Sequence, residues 1–530
     1  MPLDAKHRKW AVAAIMLLIL GVTATLAWWR PFGTRAAYPP PIATAVLGEK
    51  AAGIGIGIYV LGKNSPSAVY AVKTSDGLVL IDTGIEPDAA LVTQQLQELG
   101  LDPTRLRAIL LTHVHADHVL GARRLRTATG AKTYAGKEDC PTLRAGEPRD
   151  AFLSTFHMPG VVLHATTVDV ELSDGDPIDI GDTHFTAIAA PGHTPGAMCF
   201  LLERDGQRIL FTGDVVQSLS DIRRALGTYS TYLAPQYLGN AVQYLSTLRK
   251  LRAMPPPDVV LPGHPRIDQV PQSPYVPAAR WNGMLDSGIK AMEELLARRE
   301  RDGAHFLDGK PQELRPGLDY LGDLDGFAVY CLNTPSGLLL FDAPGGPTLV
   351  EFLKDRLKQV GLGAQWPTAV LLTATDAKAT AGLADFLRQS GGKVIAPSAG
   401  LDTVRAMCPA GADVISDADL PKQMWFEVKT VPLSGRGYPA LAYQFRWAEK
   451  NILVSGRFPV KLSAESGEQL ARDVRGSSGS ARDYLNSLER LLPVRPDLWL
   501  PSTPVQAQSA VLYDDEWREI IGRNAATVGR

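Results

Sequence analysis

Five histidines and two aspartates in the first half of the chain have the types and spacing for metal chemistry. The stretch LLTHVHADHVLG, Leu110 to Gly121, holds four of them. His113 and His115 are two residues apart and project to one side of an extended loop, whereas Asp117 and His118 are adjacent and diverge. One short loop can therefore serve two metal ions. Imidazole nitrogens and carboxylate oxygens are ligands that borderline Zn²⁺ takes, and a site short of ligands from one segment must recruit others further along. They follow in order. PGHTPG (Pro191 to Gly196) sets His193 in a glycine and proline loop, ILFTGDVV sets Asp214 at a strand end, and DVVLPGH does the same for His264. Any one of these alone reads as an ordinary surface or capping residue, so the ordered set carries the inference. His7, His157, His164, His184 and His305 have no companions at useful spacing and receive no role.

Strands must present these groups. Ala108 to Leu111 is an apolar run that reads as a buried strand, with the polar cluster at its carboxyl end, where sites in α/β sheets form. Before it, Ile54 to Leu61, Ala68 to Val72 and GLVLIDTG (Gly77 to Gly84) read as strands. The last brings Asp82 to a strand end near the metal loop, as a candidate partner for a ligating histidine; the alternative is a turn aspartate. Asp88 to Leu99 has helical spacing, and Val119 to Thr127 reads as a helix starting directly after the ligands. His184 to Ala190, Arg208 to Phe211 and Asp258 to Leu261 are the strands that lead to His193, Asp214 and His264.

The chain has 530 residues, 45% of them hydrophobic, enough for two to four domains with full-sized cores. A formal net charge of -2 gives no electrostatic invitation to nucleic acid. The four cysteines, Cys140, Cys199, Cys331 and Cys408, form no CxxC pair, so neither a zinc knuckle nor a disulfide framework is expected. Cys199 and Cys331 lie in strand-like runs and read as small buried hydrophobes.

The amino terminus differs from this globular pattern. Trp10 to Trp29 is almost unbroken Ala, Val, Ile, Leu and Met, roughly 30 Å as a helix and long enough to cross a bilayer. Lys6, Arg8 and Lys9 precede it, which predicts a cytoplasmic tail (1–9), a transmembrane anchor (10–29) and a catalytic part in the periplasm or outside the cell. A cleaved signal peptide is the competing expectation. Residues 30–42, rich in Pro and Ala, form a semi-extended tether.

The set THVHADH, PGHTPG, TGD and PGH closely resembles the metallo-β-lactamase superfamily, over roughly Ala43 to Val276. The resemblance implies an α/β fold, a four-layered αββα sandwich with a dinuclear metal site at one edge of two sheets. It also implies that His113, His115 and His193 hold one ion, Asp117, His118 and His264 the other, and that Asp214 bridges them. Two Zn²⁺ ions are the implied cofactor, with iron or manganese as alternatives. A water shared by two such ions becomes hydroxide near neutral pH and attacks an ester, thioester, lactone or amide, with Asp117 taking up the proton. The layout is similar to subclass B3 β-lactamases, but those carry a serine-containing segment where this chain has Gly213-Asp214, which glyoxalase II-like thioesterases and lactonases share. An iron-dependent persulfide-dioxygenase-like oxidoreductase and a nuclease are the alternatives from other classes. A small-molecule substrate is expected. Its binding residues are sought in Lys137 to Pro177, with Phe152 and Phe156 in an apolar flap, and at Tyr229 and Tyr232.

Arg280 to Glu300 has the apolar spacing of an amphipathic helix and reads as a connector (277–304) after a catalytic domain (43–276). Residues 305–530 then repeat the first domain. GLLLFDAP echoes GLVLIDTG, AVLLTATDAKATAG echoes AILLTHVHADHVLG, KNILVSGRFPV echoes QRILFTGDVV and LWLPSTP echoes VVLPGHP. The strands persist and the ligands do not. Ala374, Asp376, Lys378 and Ala379 replace the first four, Arg457 replaces Asp214 and Thr503 replaces His264. The expectation is a degenerate domain without metal, in a packing role. The alternative is an anion site built on Lys378 and Arg457, which holds only if no internal carboxylate consumes either cation.

Overall fold

The computed structural model describes residues 51–62, 67–146, 163–219, 238–265, 273–303, 306–307, 309–422, 426–435, 437–458, 460, 474, 480–502, 508–513 and 515–528. The expected anchor and tether, Phe152, Phe156, Tyr229, Tyr232 and Thr503 lie outside them. Among the described residues no helix is long and apolar enough to cross a membrane.

The first half is built on two sheets. Seven strands follow one another in chain order: β1 (Ala52–Gly55), β2 (Ile58–Leu61), β3 (Val69–Lys73), β4 (Leu78–Ile81), β5 (Leu106–Leu110), β6 (Lys132–Gly136) and β7 (Val170–Leu172). Strands β4 to β7 are parallel, with Ile81 beside Leu110 and Leu110 beside Tyr134. The second sheet has the order β12, β11, β10, β9, β8, formed by β8 (Pro177–Ile180), β9 (Thr183–Ala189), β10 (Met198–Arg204), β11 (Gln207–Gly213) and β12 (Val259–Pro262).

Three apolar layers hold these sheets. Tyr70, Ile81, Leu110, Phe185, Phe200, Phe211 and Leu261 meet between the sheets. Outside the first sheet, α1 (Ala90–Glu98) and α3 (Ala122–Thr129) bury Val92, Leu96 and Leu125 against Leu80 and Ile109, with the short α2 (Ala116–Val119) between them in sequence and α4 (Cys140–Ala145) after them. Outside the second sheet, α5 (Ala241–Ala253) and α6 (Ala278–Asp302) bury Tyr244, Leu248, Trp281 and Leu285 against Leu210 and Val260. The strands facing helices on one side and a sheet on the other are apolar on both faces, which explains their unbroken hydrophobic runs. The result is the expected αββα stack, a mixed α/β sandwich.

Two local expectations need correction. Ile54 to Leu61 is a hairpin rather than one strand: Ile56 and Gly57 both have positive φ, 48° and 73°, and Gly55 pairs with Ile58. The signal was the alternating glycine of Gly53, Gly55 and Gly57, which a count of apolar residues overrides. The helix expected over Val119 to Thr127 is also two pieces, α2 and α3. The His118 carbonyl, which would continue the ladder, accepts instead from Thr83 N at 2.7 Å and Thr83 Oγ1 at 3.0 Å. Gly121 permits this approach, because a methyl there would stand 2.7 Å from Thr83 O.

The second half also has a seven-stranded sheet of consecutive strands, Gln312–Arg315 through Val414–Ser416, and a four-stranded sheet from Val428–Leu433 through Leu498–Pro501. Tyr330, Phe341, Tyr443 and Val454 fill the space between its sheets. Several fine details occur in both halves. Tyr70 donates to Pro262 O and Tyr330 to Pro501 O, each at 2.7 Å. Asp82 and Asp342 both have φ of 61°, and Gly263 N to Gly213 O and Ser502 N to Gly456 O are both 2.8 Å. Cys199 and Cys331 are fully buried, and burial pushes the Cys199 thiol up to about 12, as expected of inert core residues.

Candidate metal centre

Every candidate metal ligand, and Asp82, stands just past the carboxyl end of a strand: Asp82 after β4, His113 to His118 after β5, His193 after β9, Asp214 after β11 and His264 after β12. The two sheets lie face to face, so these five ends meet along one edge. His113, His115, His193 and Asp214 form one buried group, and Asp117, His118 and His264 a second; within each, one ligand atom per residue lies within 4.8 Å of all the others. Asp117 and His264, at 7% and 8% exposure, are the least covered of the seven, so the centre opens to solvent on their side.

The hydrogen bonds show how the ligand atoms are aimed. Asp82 Oδ1 accepts from Thr112 N, and Oδ2 accepts from Thr112 Oγ1, both at 2.8 Å. The same Oδ2 is 2.8 Å from His118 Nδ1. A carboxylate accepts, so His118 carries a proton on Nδ1 and directs Nε2 inward. Thr112 Oγ1 uses its only proton to donate to Asp82 and stands 3.0 Å from His113 Nδ1. It therefore accepts from that ring as well, and His113 presents Nε2. Among the described residues this buried Nε2 has no hydrogen-bond partner.

Asp214 lies between the two groups. Its Oδ1 is 3.2 Å from His118 Nε2, while Oδ2 is 3.0 Å from His264 Nε2 and 3.4 Å from His193 Nε2. Gln217 Nε2 donates to Oδ2 at 2.9 Å. Two glycines make room for this carboxylate. Gly213, with φ of 47°, would bring a methyl to 2.5 Å from Thr112 Oγ1, and a methyl at Gly263 would collide with Asp214 Oδ1.

Electrostatics fit a cation. Burial and the neighbouring imidazoles push His113 well below the usual histidine range. Burial pulls His118 in the same direction, but the Asp117, Asp214 and Asp82 carboxylates outweigh it and lift His118 well above that range. Burial would raise Asp214, yet His264 and His118 hold it well below the usual carboxylate range. Asp82, Asp117 and Asp214 are all buried and, among the described residues, ion-pair only with histidines. Three buried carboxylates without Lys or Arg, an orphaned imidazole nitrogen and ring nitrogens as close as the 2.8 Å between His193 Nε2 and His115 Nδ1 are a donor set that suits two divalent ions.

Several supporting residues escaped sequence reasoning. Thr112 and Thr83 orient ligands as described, Ser67 Oγ donates to the Asp117 carbonyl, and Tyr244 Oη donates to Val215 O at 2.6 Å. Asp139, in the turn Lys137–Asp139 after β6, is buried among backbone donors of two ligand loops. Only Thr112 and Thr83 carried a signal, as polar residues directly at the ends of apolar strands.

In the second half the corresponding strand ends hold no such group among the described residues. Arg457 is ion-paired with Asp376. The cation of the expected anion site is thus consumed by an internal carboxylate, and Lys378 is exposed on the surface. That expectation is withdrawn.

Residues 62–264 match the metallo-beta-lactamase superfamily, and the chain belongs to that superfamily through this domain. Hydroxyacylglutathione hydrolase of Cereibacter sphaeroides is 33% identical over 178 residues, 34% of this chain and 54% of its own length. An uncharacterized protein of Mycobacterium leprae is 32% identical over 203 residues, 37% of this chain and 84% of its own length. The chain thus spans about half the length of the hydroxyacylglutathione hydrolases it matches first. Among solved structures, BJP-1, a subclass B3 metallo-beta-lactamase of Bradyrhizobium japonicum, is 27% identical, with 49% of this chain and 97% of that chain covered and a TM-score of 0.39.

Proposed function

We propose that the protein is a zinc-dependent hydrolase that cleaves an ester, thioester, lactone or amide bond in a small molecule. The observation that carries this is Asp214, set between a three-histidine group and an Asp117–His118–His264 group. His113, His115 and His193 would hold one Zn²⁺, Asp117, His118 and His264 the other, and Asp214 both. Two Zn²⁺ ions there supply Lewis acidity and bring the pKa of water towards neutrality. Asp117 Oδ2, 3.4 Å from His264 Nε2 and 3.6 Å from His118 Nε2, is placed on the open side to take up a proton. Asp82 holds the His118 and His113 rings in the tautomers that present Nε2.

The hydroxyacylglutathione hydrolase relatives favour an acyl-glutathione thioester as the first substrate to try. The test is a parallel hydrolysis screen of such a thioester, a lactone and nitrocefin, with and without a chelator. Chelator-sensitive turnover that disappears in Asp214→Ala supports the proposal; turnover indifferent to both refutes it. Metal analysis of protein purified without added metal separates a zinc hydrolase from an iron oxidoreductase.

We read the chain as a catalytic domain (43–276), a connector (277–304) and a degenerate second copy (305–530). The repeated Tyr70 and Tyr330 bonds and the paired φ values of Asp82 and Asp342 support the second copy. The apolar run Trp10 to Trp29 supports a membrane anchor with the catalytic domain outside the cytoplasm. Fractionation before and after removal of residues 1–30 tests this: the longer form should sediment with membranes and the shorter should not.

A further inference from the structure

The carboxylate of Asp139 is 1% exposed, and among the described residues no Lys or Arg pairs with it. Three donors surround it instead. Val114 N, between His113 and His115, donates to Oδ2 at 3.0 Å. Thr194 Oγ1, next to His193, donates to Oδ2 at 2.6 Å, and Gly196 N donates to Oδ1 at 2.8 Å. One side chain therefore ties the loop after β5 to the loop after β9. These are the two segments that supply the three-histidine group and nothing else to the centre except, on the first, Asp117 and His118.

Two glycines show that the approach is built in. A methyl at Gly196 would overlap the Asp139 backbone, and one at Gly136 would overlap Gly196 O. The turn carrying Asp139 is thus pressed directly on the His193 loop, with no side chain between. The other group of ligands has anchors that Asp139 does not touch: Asp82 bonds His118 directly, besides reaching His113 through Thr112, and Tyr70 fixes Pro262 two residues before His264.

Resting on the metal reading above, we infer that Asp139 is a positioning residue specific to one of the two ion sites. It sets the spacing of His193 from His113 and His115, and has no direct hold on Asp117, His118 or His264. Residues that orient metal ligands without touching the ion typically change affinity roughly 10–100-fold. The expected defect is confined to the three-histidine site.

The experiment strips the full chain of metal, titrates it with Zn²⁺ and then with Co²⁺, and compares wild type, Asp139→Ala, Asp139→Asn and Asp82→Ala. Wild type should take up two ions. Asp139→Ala should keep one with near wild-type affinity and bind the other roughly 10–100-fold more weakly, with the Co²⁺ spectrum losing the component of the imidazole-rich site. Asp82→Ala should weaken the His118 site more than Asp139→Ala does. Asp139→Asn, which keeps the shape and one acceptor oxygen, should recover part of the loss. If Asp139→Ala does not fold, Thr194→Val removes a single donor and should give the same pattern at smaller amplitude. Two ions bound as in wild type, or both weakened alike, overturns the inference while leaving the metal reading intact. Wild type that binds no ion overturns both.

Discussion

His118 Nδ1 lies 2.8 Å from Asp82 Oδ2, and that carboxylate is at the same time bonded twice to Thr112. One aspartate at the end of β4 thereby fixes the ring of His118 directly and the ring of His113 through Thr112. Asp82→Ala should lower zinc affinity by roughly 10–100-fold, read by competition with a chromophoric chelator. Unchanged affinity would mean that Asp82 serves only the turn, where its φ of 61° is itself unusual for a residue other than glycine.

Gly263 tests the geometry of the shared carboxylate without removing a ligand. A methyl there collides with Asp214 Oδ1, while its other close neighbours are the carbonyl atoms of Gly213. Gly263→Ala should reduce hydrolysis about 100-fold while circular dichroism stays that of the folded protein. Retained activity would show that the edge of β12 yields easily and that Asp214 needs no fixed position.

The metal ligands were legible because they are polar residues within a few positions of the end of an apolar strand, three of them (His193, Asp214 and His264) directly after a glycine, and because their order along the chain fits one site. Asp82 was legible for the same reason. Asp139 was not: its donors are the backbone of Val114 and Gly196 and the hydroxyl of Thr194, and backbone donors leave no residue pattern. The break between α2 and α3 was hidden likewise, since it depends on Thr83, distant in sequence, capturing the His118 carbonyl. In the second half, Arg457 and Asp376 were each visible, but their mutual pairing depends on two strand ends meeting across the sheets.

That pair gives a stability prediction. Both side chains are largely buried, at 15% and 14% exposure. Removing one partner leaves an uncompensated charge, so Arg457→Leu should cost about 2 kcal/mol in denaturant unfolding. Arg457→Leu combined with Asp376→Leu should recover most of that loss. Additive losses in the double variant would show that the two do not interact.

The second half also contains a pH-dependent element. Burial pushes the Asp342 carboxyl up to about 7, against the hydrogen bonds from Thr373 and Ser502 that favour its charged form. Its ordinary value is 3.8, so between about 4 and about 7 the folded chain holds a proton that the unfolded chain has released. By linkage the contribution to stability is full below the lower value and is lost as pH rises through the upper one. Asp342→Asn mimics the protonated acid: its carbonyl accepts from Thr373 N, and its amide faces the Thr373 and Ser502 hydroxyls. The variant should be more stable than wild type, and its advantage should grow by at least about 1 kcal/mol between pH 5 and pH 8. An equal advantage at both pH values would place Asp342 in its charged form throughout.

The number of metal ions bound per chain tests the central claim most directly. Protein stripped with a chelator, reloaded with Zn²⁺, desalted and analysed by inductively coupled plasma mass spectrometry should carry two zinc ions per chain, and Asp214→Ala protein clearly fewer. Folded wild-type protein that retains no zinc, or that loads to the same level as Asp214→Ala, would contradict the account.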